Sequence, residues 1–476
     1  MRRTLLYLAL GFGVFAALCA GHAVRSHTRN YGRLSSDSVS AIAALSDPAV
    51  LLDTNNKDSL LSRILIPRPP DTENSRKVRE CILDVFRKQL GARESSDYKS
   101  MDWSIAGKLG WHIEQHTFTT DTPEGKKKMT NLILTKNPAA PRKLVIAAHY
   151  DSKYFSANSG MAEFVGATDS AAPCAMMVDL AVALDDALDA RERKIHAEQQ
   201  TKPSIAQETT LQLVFFDGEE AYRVWTHTDS IYGSRELAKH WTQTFWDAST
   251  FEKSHTATAT KLSARRYRST YGPIEYINTI EHMVLLDLLG APNPTIPNYY
   301  DSTKWLHEAM GDAERRLRAA NVLWPAGEAI KQSDRGFFTA NKPWGAIEDD
   351  HLPFLHQGVP ILHVIPSPFP SVWHKLSDDV TALDYPTMHA WCMILRLAVA
   401  EYLDLDVSAV AHKRYRSQLE PGLMARGRGM LQDDEPIGES TLTYHKNRTH
   451  KGELVSARST SSLFFALQLS LTIFAF

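Results

Sequence analysis

Cysteine is scarce in this chain, and its scarcity limits how the fold can be held together. The 476 residues contain only four cysteines, and one of them, Cys19, lies inside an N-terminal apolar run. The other three, Cys81, Cys174 and Cys392, are an odd number, so they cannot all pair within the chain. A disulfide-rich scaffold is therefore excluded, and the fold must depend on a hydrophobic core.

The chain also lacks an excess of charge of one sign and has no internal repeats. It has 53 Lys and Arg against 55 Asp and Glu, which gives a formal net charge of −2. Proteins that bind nucleic acid usually carry a basic excess, because they neutralise phosphates. The balance therefore argues against nucleic acid as a partner. A hydrophobic content of 43% and a charged content of 23% are typical of a soluble globular protein.

The first 23 residues predict a signal peptide or a signal anchor. Arg2 and Arg3 precede an apolar run from Leu5 to Ala20, and small residues follow it. The run also approaches the ~17 residues that can span a bilayer, so an uncleaved anchor is the alternative. Either way, we expect a protein that is secreted, held in the Golgi or ER lumen, or membrane-anchored. Asn447 opens the only N-glycosylation sequon.

The other end of the chain predicts a tail. Residues 406–476 lose the helical pattern of the preceding segment, which favours disorder. The last stretch, Leu463–Phe476, is apolar again, and small residues at Ser456–Ser462 precede it. This pattern resembles a GPI-attachment signal, although Arg458 interrupts it. Contact with a membrane is expected only through this signal or through an uncleaved N-terminal anchor.

Between these ends the sequence predicts an N-terminal arm at 24–64, extended up to the prolines at 67–70, and one α/β domain at 65–405. A first helix should be capped by Ser75 and end at Gly91. Short aliphatic runs that predict strands are Asn131–Thr135, Leu144–Ala148, Leu211–Phe216, Met283–Leu286 and Ile361–Ile365. Helical patterns are Cys174–Leu188, Asp229–Trp241, Thr303–Ala320 and Thr387–Leu403. This alternation predicts a central mixed, mostly parallel sheet flanked by helices.

Acidic and imidazole side chains follow the predicted strands directly. His149 follows one strand, Glu219 and Glu220 follow the next, and Asp287 follows a third. The carboxyl ends of strands in an open α/β sheet form the ligand crevice, so these groups should converge. A single such residue is more often a cap or a loop contact. Two adjacent carboxylates after a buried strand are different, because they repel each other and need a positive partner such as a metal ion.

Several long motifs make the comparison specific. They are His149–Phe155 (HYDSKYF), Phe164–Met177 (FVGATDSAAPCAMM), Phe215–Ala221 (FFDGEEA), Leu285–Pro297 (LLDLLGAPNPTIP), Asp349–Phe354 (DDHLPF) and Gly358–His374 (GVPILHVIPSPFPSVWH). In this order they closely resemble the animal-type glutaminyl cyclases, within the clan of zinc aminopeptidases that share one α/β fold. The resemblance covers roughly residues 65 to 405. It implies cyclisation of N-terminal glutamine in peptides or proteins to pyroglutamate, with release of ammonia.

The resemblance also implies a role for particular residues. One zinc ion per chain would be bound by Asp169, Glu220 and His374. Glu219 would act as general base and acid, with Asp287 and Asp349 lining the site. Trp225 and Trp373 would form the walls of the substrate pocket, although Trp225 by itself would be taken for a core aromatic. A monomer is expected.

Two positions depart from the pattern of the resembled family. In related enzymes a cysteine just before the His-Tyr-Asp motif pairs with the cysteine at the position of Cys174. Here that site is Ala148, so Cys174 should be a free buried thiol. Glu348 stands where a glutamine often precedes the Asp-Asp-His motif.

Two other functions remain possible on these residues. His149 and Asp287 occupy positions where aminopeptidases of the same clan bind a second metal ion, so an aminopeptidase is the main alternative. A domain of the same fold that binds a ligand without catalysis is the third. Such a domain would be expected to lack a metal ligand or the base, and this chain has both.

Overall fold

A seven-stranded sheet forms the centre of this computed structural model, whose described residues are 32–94, 110–198, 204–246, 274–327, 335–343 and 345–411. The predicted signal segment, the sequon at Asn447 and the apolar C-terminus lie outside these residues. The predicted tail starts at 406, but Val407 is fully buried in the core. The packed chain therefore extends past that predicted boundary.

The strands are short and mostly aliphatic. They are β1 Arg93–Glu94, β2 His112–Thr122, β3 Gly125–Thr135, β4 Arg142–His149, β5 Thr209–Phe216, β6 Phe245–Trp246, β7 Ile274–Glu275, β8 Ile280–Leu286, β9 Ile296–Pro297, β10 Phe338–Thr339 and β11 Ile361–Val364. The α-helices are α1 Ser36–Ala41, α2 Ala49–Leu52, α3 Leu60–Ile64, α4 Glu73–Gln89, α5 Ala172–Glu198, α6 Ile205–Glu208, α7 Tyr232–Gln243, α8 Lys304–Ala319, α9 Leu352–Leu355 and α10 Tyr385–Tyr402. Each of the predicted strands and long helices falls on one of these elements.

The sheet order is β1-β2-β3-β5-β4-β8-β11. Strands β5, β4, β8 and β11 are parallel neighbours, whereas β3 is antiparallel to both β2 and β5. The predicted mixed, mostly parallel sheet is therefore confirmed in its central part. In register, His149 lies opposite Phe216, and Leu286 lies opposite Val364. The carboxyl ends of these four strands consequently meet along one edge.

Helices cover both faces of the central strands. Alternate strand residues point to opposite faces. Ile146 and Leu213 join a large cluster that includes α4, α5, α8 and α10, whereas Val145 and Val214 join a smaller cluster with α7. Because both faces are covered, these strands are mainly apolar and do not alternate regularly with polar residues.

The N-terminal segment is helical and packed, so the expected extended conformation is wrong for residues 36–64. Helices α1 to α3 occupy most of this stretch, and Ile42, Leu52 and Leu61 are fully buried. The buried guanidinium of Arg396 on α10 pairs with Asp179 on α5 at 2.6 Å and donates to the Ser46 carbonyl at 2.9 Å. The segment thus completes the core beside α5 and α10.

Helix α4 starts earlier than the sequence predicted. Its N-cap is Thr72, whose hydroxyl accepts the backbone N–H of Ser75 at 3.1 Å. The assignment of Ser75 as the cap is therefore wrong, and Ser75 is the third helical residue. Both are hydroxyl residues, and only the local backbone decides which one lies outside the helix.

The three described cysteines are free thiols, as predicted for Cys174. Cys174 and Cys392 are buried, and the Cys174 thiol donates to the carbonyl of His149 at 3.2 Å. Burial raises the pKa of Cys174 to about 12, so this thiol stays protonated.

Among the described helices, none combines the length and apolar character needed to cross a membrane.

Candidate active site and metal centre

Three side chains that are far apart in the sequence lie close together at the carboxyl ends of the central strands. Asp169 precedes α5, Glu220 follows β5, and His374 follows β11. His374 Nε2 lies 3.1 Å from Glu220 Oε1 and 3.5 Å from Asp169 Oδ2. Their ligand atoms lie within 4.8 Å of one another. Two carboxylates and one imidazole are donors that zinc prefers, and a three-ligand set leaves a position for substrate. The donor set therefore fits a zinc ion.

A second group of donors shares Asp169. His149 Nε2 lies 3.0 Å from Asp169 Oδ1 and 3.4 Å from Asp287 Oδ1. These three side chains are also close enough to hold a metal ion. Burial alone would lower the pKa of His149, but hydrogen bonds to Asp151, Asp169 and Asp287 outweigh it and raise this pKa well above its usual value. The geometry thus accommodates one metal ion or two.

The loop that carries Asp169 is held by a buried arginine. Arg68 donates to the carbonyls of Tyr150 at 2.6 Å and Gly166 at 3.1 Å, and it also donates to the Val165 carbonyl. Its side chain is fully buried. Arg68 therefore ties the segment after β4 to the loop before α5. Sequence reasoning missed this role because Arg68 lies in the proline-rich stretch taken for an extended arm.

A glycine makes this loop possible. Gly166 has φ of +54°, and a Cβ there would lie 2.1 Å from the backbone oxygen of Asp169. Only glycine tolerates both the left-handed conformation and this close approach. The next turn is fixed by Asp378, whose Oδ1 accepts the backbone N–H and the hydroxyl of Thr168, each at 2.9 Å.

The two adjacent glutamates have different surroundings. Lys153 Nζ lies 3.1 Å from Glu220 Oε2. Burial would raise the pKa of Glu220, but the hydrogen bond from His374 and the charge of Lys153 outweigh burial and lower it to about 2. Burial instead raises the pKa of Glu219 well above its usual range, and the charge of Glu220 adds to this. Glu220 is thus favoured as an anionic metal ligand, whereas Glu219 binds a proton more readily than Glu220.

The carboxyl group of Glu219 makes no hydrogen bond to any described residue, while its backbone is firmly held. Asp151 Oδ1 accepts the Glu219 N–H at 3.2 Å, and the Glu219 carbonyl accepts the Ile231 N–H at 2.7 Å. The side chain is 6% exposed. Glu219 therefore presents a free carboxyl group beside the metal ligand Glu220.

Asp287 and Asp349 lie at the same edge, each with its own partner. Asp287 accepts a short hydrogen bond from the Ser170 hydroxyl. Asp349 Oδ2 lies 2.7 Å from His363 Nε2, and Asp349 Oδ1 accepts the Asp350 N–H at 2.6 Å. Burial raises the pKa of Asp349, and the hydrogen bond from His363 acts against this.

Sequence reasoning also missed a pair of buried histidines next to Asp349. The rings of His351 and His363 are 4.4 Å apart, and the Tyr300 hydroxyl lies 2.5 Å from His351 Nε2. Asp349 and these two histidines form a third group close enough to bind a metal ion. The available signal was the histidine inside the aliphatic strand β11, since a buried imidazole needs a polar partner.

The two predicted wall residues are both partly exposed to solvent. The Trp373 side chain is 41% exposed and stacks on His374, with ring centroids 4.1 Å apart. Trp225 is half-buried, and its indole N–H donates to Glu348 Oε2 at 2.9 Å. Their roles in substrate binding stay predictions.

The chain is similar to known peptidases and to glutaminyl-peptide cyclotransferases. The model of Peptidase family M28 matches residues 131–399. The chain is 43% identical over 296 residues to a glutaminyl-peptide cyclotransferase from Bothrops jararaca, covering 62% of this chain and 72% of the relative. It is 38% identical over 350 residues to a glutaminyl-peptide cyclotransferase-like protein from Bos taurus, covering 73% and 75%. The crystal structure of Macrostomum lignano glutaminyl cyclase superposes with a TM-score of 0.59 at 29% identity, covering 80% of this chain and 96% of that one.

Proposed function

We propose that this chain, which belongs to peptidase family M28 and to the glutaminyl-peptide cyclotransferases, is a zinc-dependent enzyme. It would convert N-terminal glutamine of peptides to pyroglutamate. One observation carries the proposal. Asp169, Glu220 and His374 converge as metal donors, and the carboxyl group of Glu219, the neighbour of Glu220, makes no hydrogen bond to a described residue.

The reaction needs no water and no covalent bond to the enzyme. The α-amine of the substrate attacks its own γ-carboxamide carbon, which closes a five-membered ring. A carbon–nitrogen bond forms to the α-nitrogen, and the bond to the amide nitrogen breaks. One proton moves from the amine to the departing nitrogen, which leaves as ammonia. The enzyme must therefore fold the substrate, stabilise negative charge on the amide oxygen and move one proton.

Asp169, Glu220 and His374 would hold the zinc ion, which when bound would polarise the γ-carbonyl of the substrate. Lys153 neutralises part of the negative charge of Glu220, and Asp378 and Arg68 fix the loop that presents Asp169. These contacts keep the donors in place independently of the substrate.

Glu219 would take the proton from the α-amine and deliver it to the leaving nitrogen. Burial raises the pKa of Glu219 above its usual range, so its carboxylate is a stronger base than that of an exposed glutamate. Asp287 and Asp349 would guide the amine, with Ser170 and His363 fixing their orientation. Trp225 and Trp373 would hold the folded glutamine side chain and exclude water.

An aminopeptidase is the second candidate, and one observation favours it. His149, Asp169 and Asp287 form a second donor group that shares Asp169. Many hydrolases use two metal ions to activate a water molecule and clamp the reacting oxygens. The two activities therefore differ in metal count and in the need for water.

Product masses separate the candidates. Purified protein is incubated with a peptide that begins with glutamine and, separately, with a leucine amide. The proposal predicts that the first substrate loses the mass of one ammonia and the second stays intact. Hydrolysis of the leucine amide to free leucine would instead indicate a peptidase. No change in either would indicate a binding domain. A Glu219→Gln preparation, purified in parallel, controls for contaminating enzymes.

We also propose that the protein acts as a monomer in the secretory pathway or outside the cell. The basic pair Arg2 and Arg3 before the apolar run, together with the sequon at Asn447, supports this location. N-terminal sequencing of protein collected from the medium of expressing cells would test it. Retention of all protein in the cytosol would contradict it.

A further inference from the structure

An exposed carboxylate, that of Glu348, directly precedes a buried residue of the site. Glu348 is exposed, whereas the next residue, Asp349, is 2% exposed and bonded to His363. The chain therefore passes from the rim to the interior between these two neighbours.

Glu348 is joined by a hydrogen bond to the loop after β5. Trp225 lies on the loop after β5, five residues beyond Glu220, and its indole N–H donates to Glu348 Oε2 at 2.9 Å. A neutral acceptor, such as the glutamine that often stands here in related enzymes, could accept this same hydrogen bond. The bond therefore explains the length and polarity of the side chain but not its charge.

Basic side chains on the segments after β4 and β5 pair with other carboxylates. Lys153 pairs with Glu220 at 3.1 Å, and Arg223 pairs with Glu124 at 2.9 Å. Within the described part of the chain, no Lys, Arg or His lies within ion-pair distance of Glu348. Its carboxylate is consequently available to a charged group that arrives with the substrate.

We propose that Glu348 is a specificity-determining residue that favours substrates with a basic residue directly after the N-terminal glutamine and disfavours those with an acidic one. This inference rests on the proposed function. With the glutamine side chain held by Trp225 and Trp373 as proposed, the next residue of the substrate would lie close to Glu348, because Glu348 is bonded to the Trp225 indole.

The expected effect is moderate because the rim is solvated. Opposite charges a few ångströms apart at a protein surface change affinity by roughly threefold, and like charges do so in the opposite sense. The two effects together predict a ratio of about ten in kcat/KM between lysine and glutamate at the second position. Salt should reduce this ratio, since about 1 M salt shortens the screening length to about 3 Å.

The test uses three peptides that differ only at their second residue, which is lysine, alanine or glutamate. Each kcat/KM is scaled to that of the alanine peptide, for the wild type, Glu348→Gln and the control Glu308→Gln. Glu308 is an exposed carboxylate on α8, so the two variants have the same net charge. We expect a lysine-to-glutamate ratio of about ten in the wild type and the control, and about two or less in Glu348→Gln.

Trp225→Phe separates charge from wall packing, because it removes the hydrogen bond and keeps the carboxylate. We expect it to retain most of the ratio while raising KM for all three peptides. An unchanged ratio in Glu348→Gln, or a ratio of one in the wild type, would overturn the inference. If the wild type left even the alanine peptide uncyclised, the proposed function itself would fail.

Discussion

Asp151 accepts the backbone N–H of Glu220 at 3.3 Å on one carboxylate oxygen, and the other oxygen accepts the N–H of Glu219 at 3.2 Å. One fully buried side chain thus fixes the backbone that carries both a metal ligand and the proposed base. Asparagine at this position would keep one acceptor and turn an N–H₂ group towards the second N–H.

We therefore expect Asp151→Asn to weaken zinc binding and to lower kcat/KM, each by about 10- to 100-fold, as is typical when a group that orients metal ligands is lost. Chelator competition measures the zinc affinity. The control is Asp121→Asn, on an exposed residue of β2. Wild-type zinc affinity in Asp151→Asn would contradict the orienting role.

Glu219 is expected to be needed for turnover but not for metal binding. Its carboxyl group makes no hydrogen bond within the described residues, and Glu220, not Glu219, contacts His374. Glu219→Gln should lower kcat by about 10²- to 10⁴-fold, the usual contribution of a positioned acid–base group. Metal analysis of the same sample should find the wild-type zinc content. A variant that lost zinc along with activity would assign Glu219 to the metal site instead.

His116 should make stability depend on pH. Burial and the neighbouring His240 lower the pKa of His116 to about 4, and Glu236 acts against them. The unfolded chain therefore binds a proton below about pH 6.5 that the folded chain does not take up until about pH 4. This contribution to stability is complete above pH 6.5 and is lost as the pH falls through this window.

The expected loss is about 1 kcal/mol between pH 7 and pH 5, which allows for solvent screening of the partly exposed ring. His116→Gln keeps an acceptor for the Asn131 side chain, which donates to His116 Nδ1 at 3.2 Å. Urea unfolding at several pH values should show a shallower decline for this variant. Parallel profiles for the two proteins would refute the assignment.

Cys174 offers a way to restore the cross-link that the resembled family has. Ala148 and Cys174 are both buried, and the Cys174 thiol reaches the carbonyl of the adjacent His149. Ala148→Cys should form a disulfide that closes a loop of about 26 residues and adds about 3 kcal/mol to the free energy of unfolding. Denaturant unfolding with and without a reductant measures this gain.

The parent protein is the control, since its described cysteines are free and a reductant should leave its stability unchanged. Alkylation at positions 148 and 174 of the oxidised variant in denaturant, detected by mass spectrometry, would show that the backbone positions do not suit a bridge; Cys81 and Cys392 are alkylated in either case.

The central fold could be predicted from sequence because its strands are covered on both faces. Runs such as Leu144–Ala148 are aliphatic at every position, and strands β4, β5, β8 and β11 lie where these runs predicted them. The packing of residues 36–64 could not be predicted, because Ile42 and Leu61 lie in one core cluster with α5 and α10, which are distant in sequence. Their own spacing shows no regular period.

The site was predictable where residues directly follow strands. Glu219, Glu220 and Asp287 lie at strand ends, and parallel strands bring such ends together. The supporting contacts were not predictable. Arg68, Asp151 and the bond between Trp225 and Glu348 depend on how loops fold back, and no local pattern encodes this.

We expect cyclisation of N-terminal glutamine to need one zinc ion, held by Asp169, Glu220 and His374. The most direct measurement is a zinc titration of metal-free protein during turnover of a glutamine-initiated peptide. We expect no turnover without metal, a linear rise, and a plateau at one zinc per chain. Full turnover without metal, or a plateau only at two zinc ions per chain, would contradict the account.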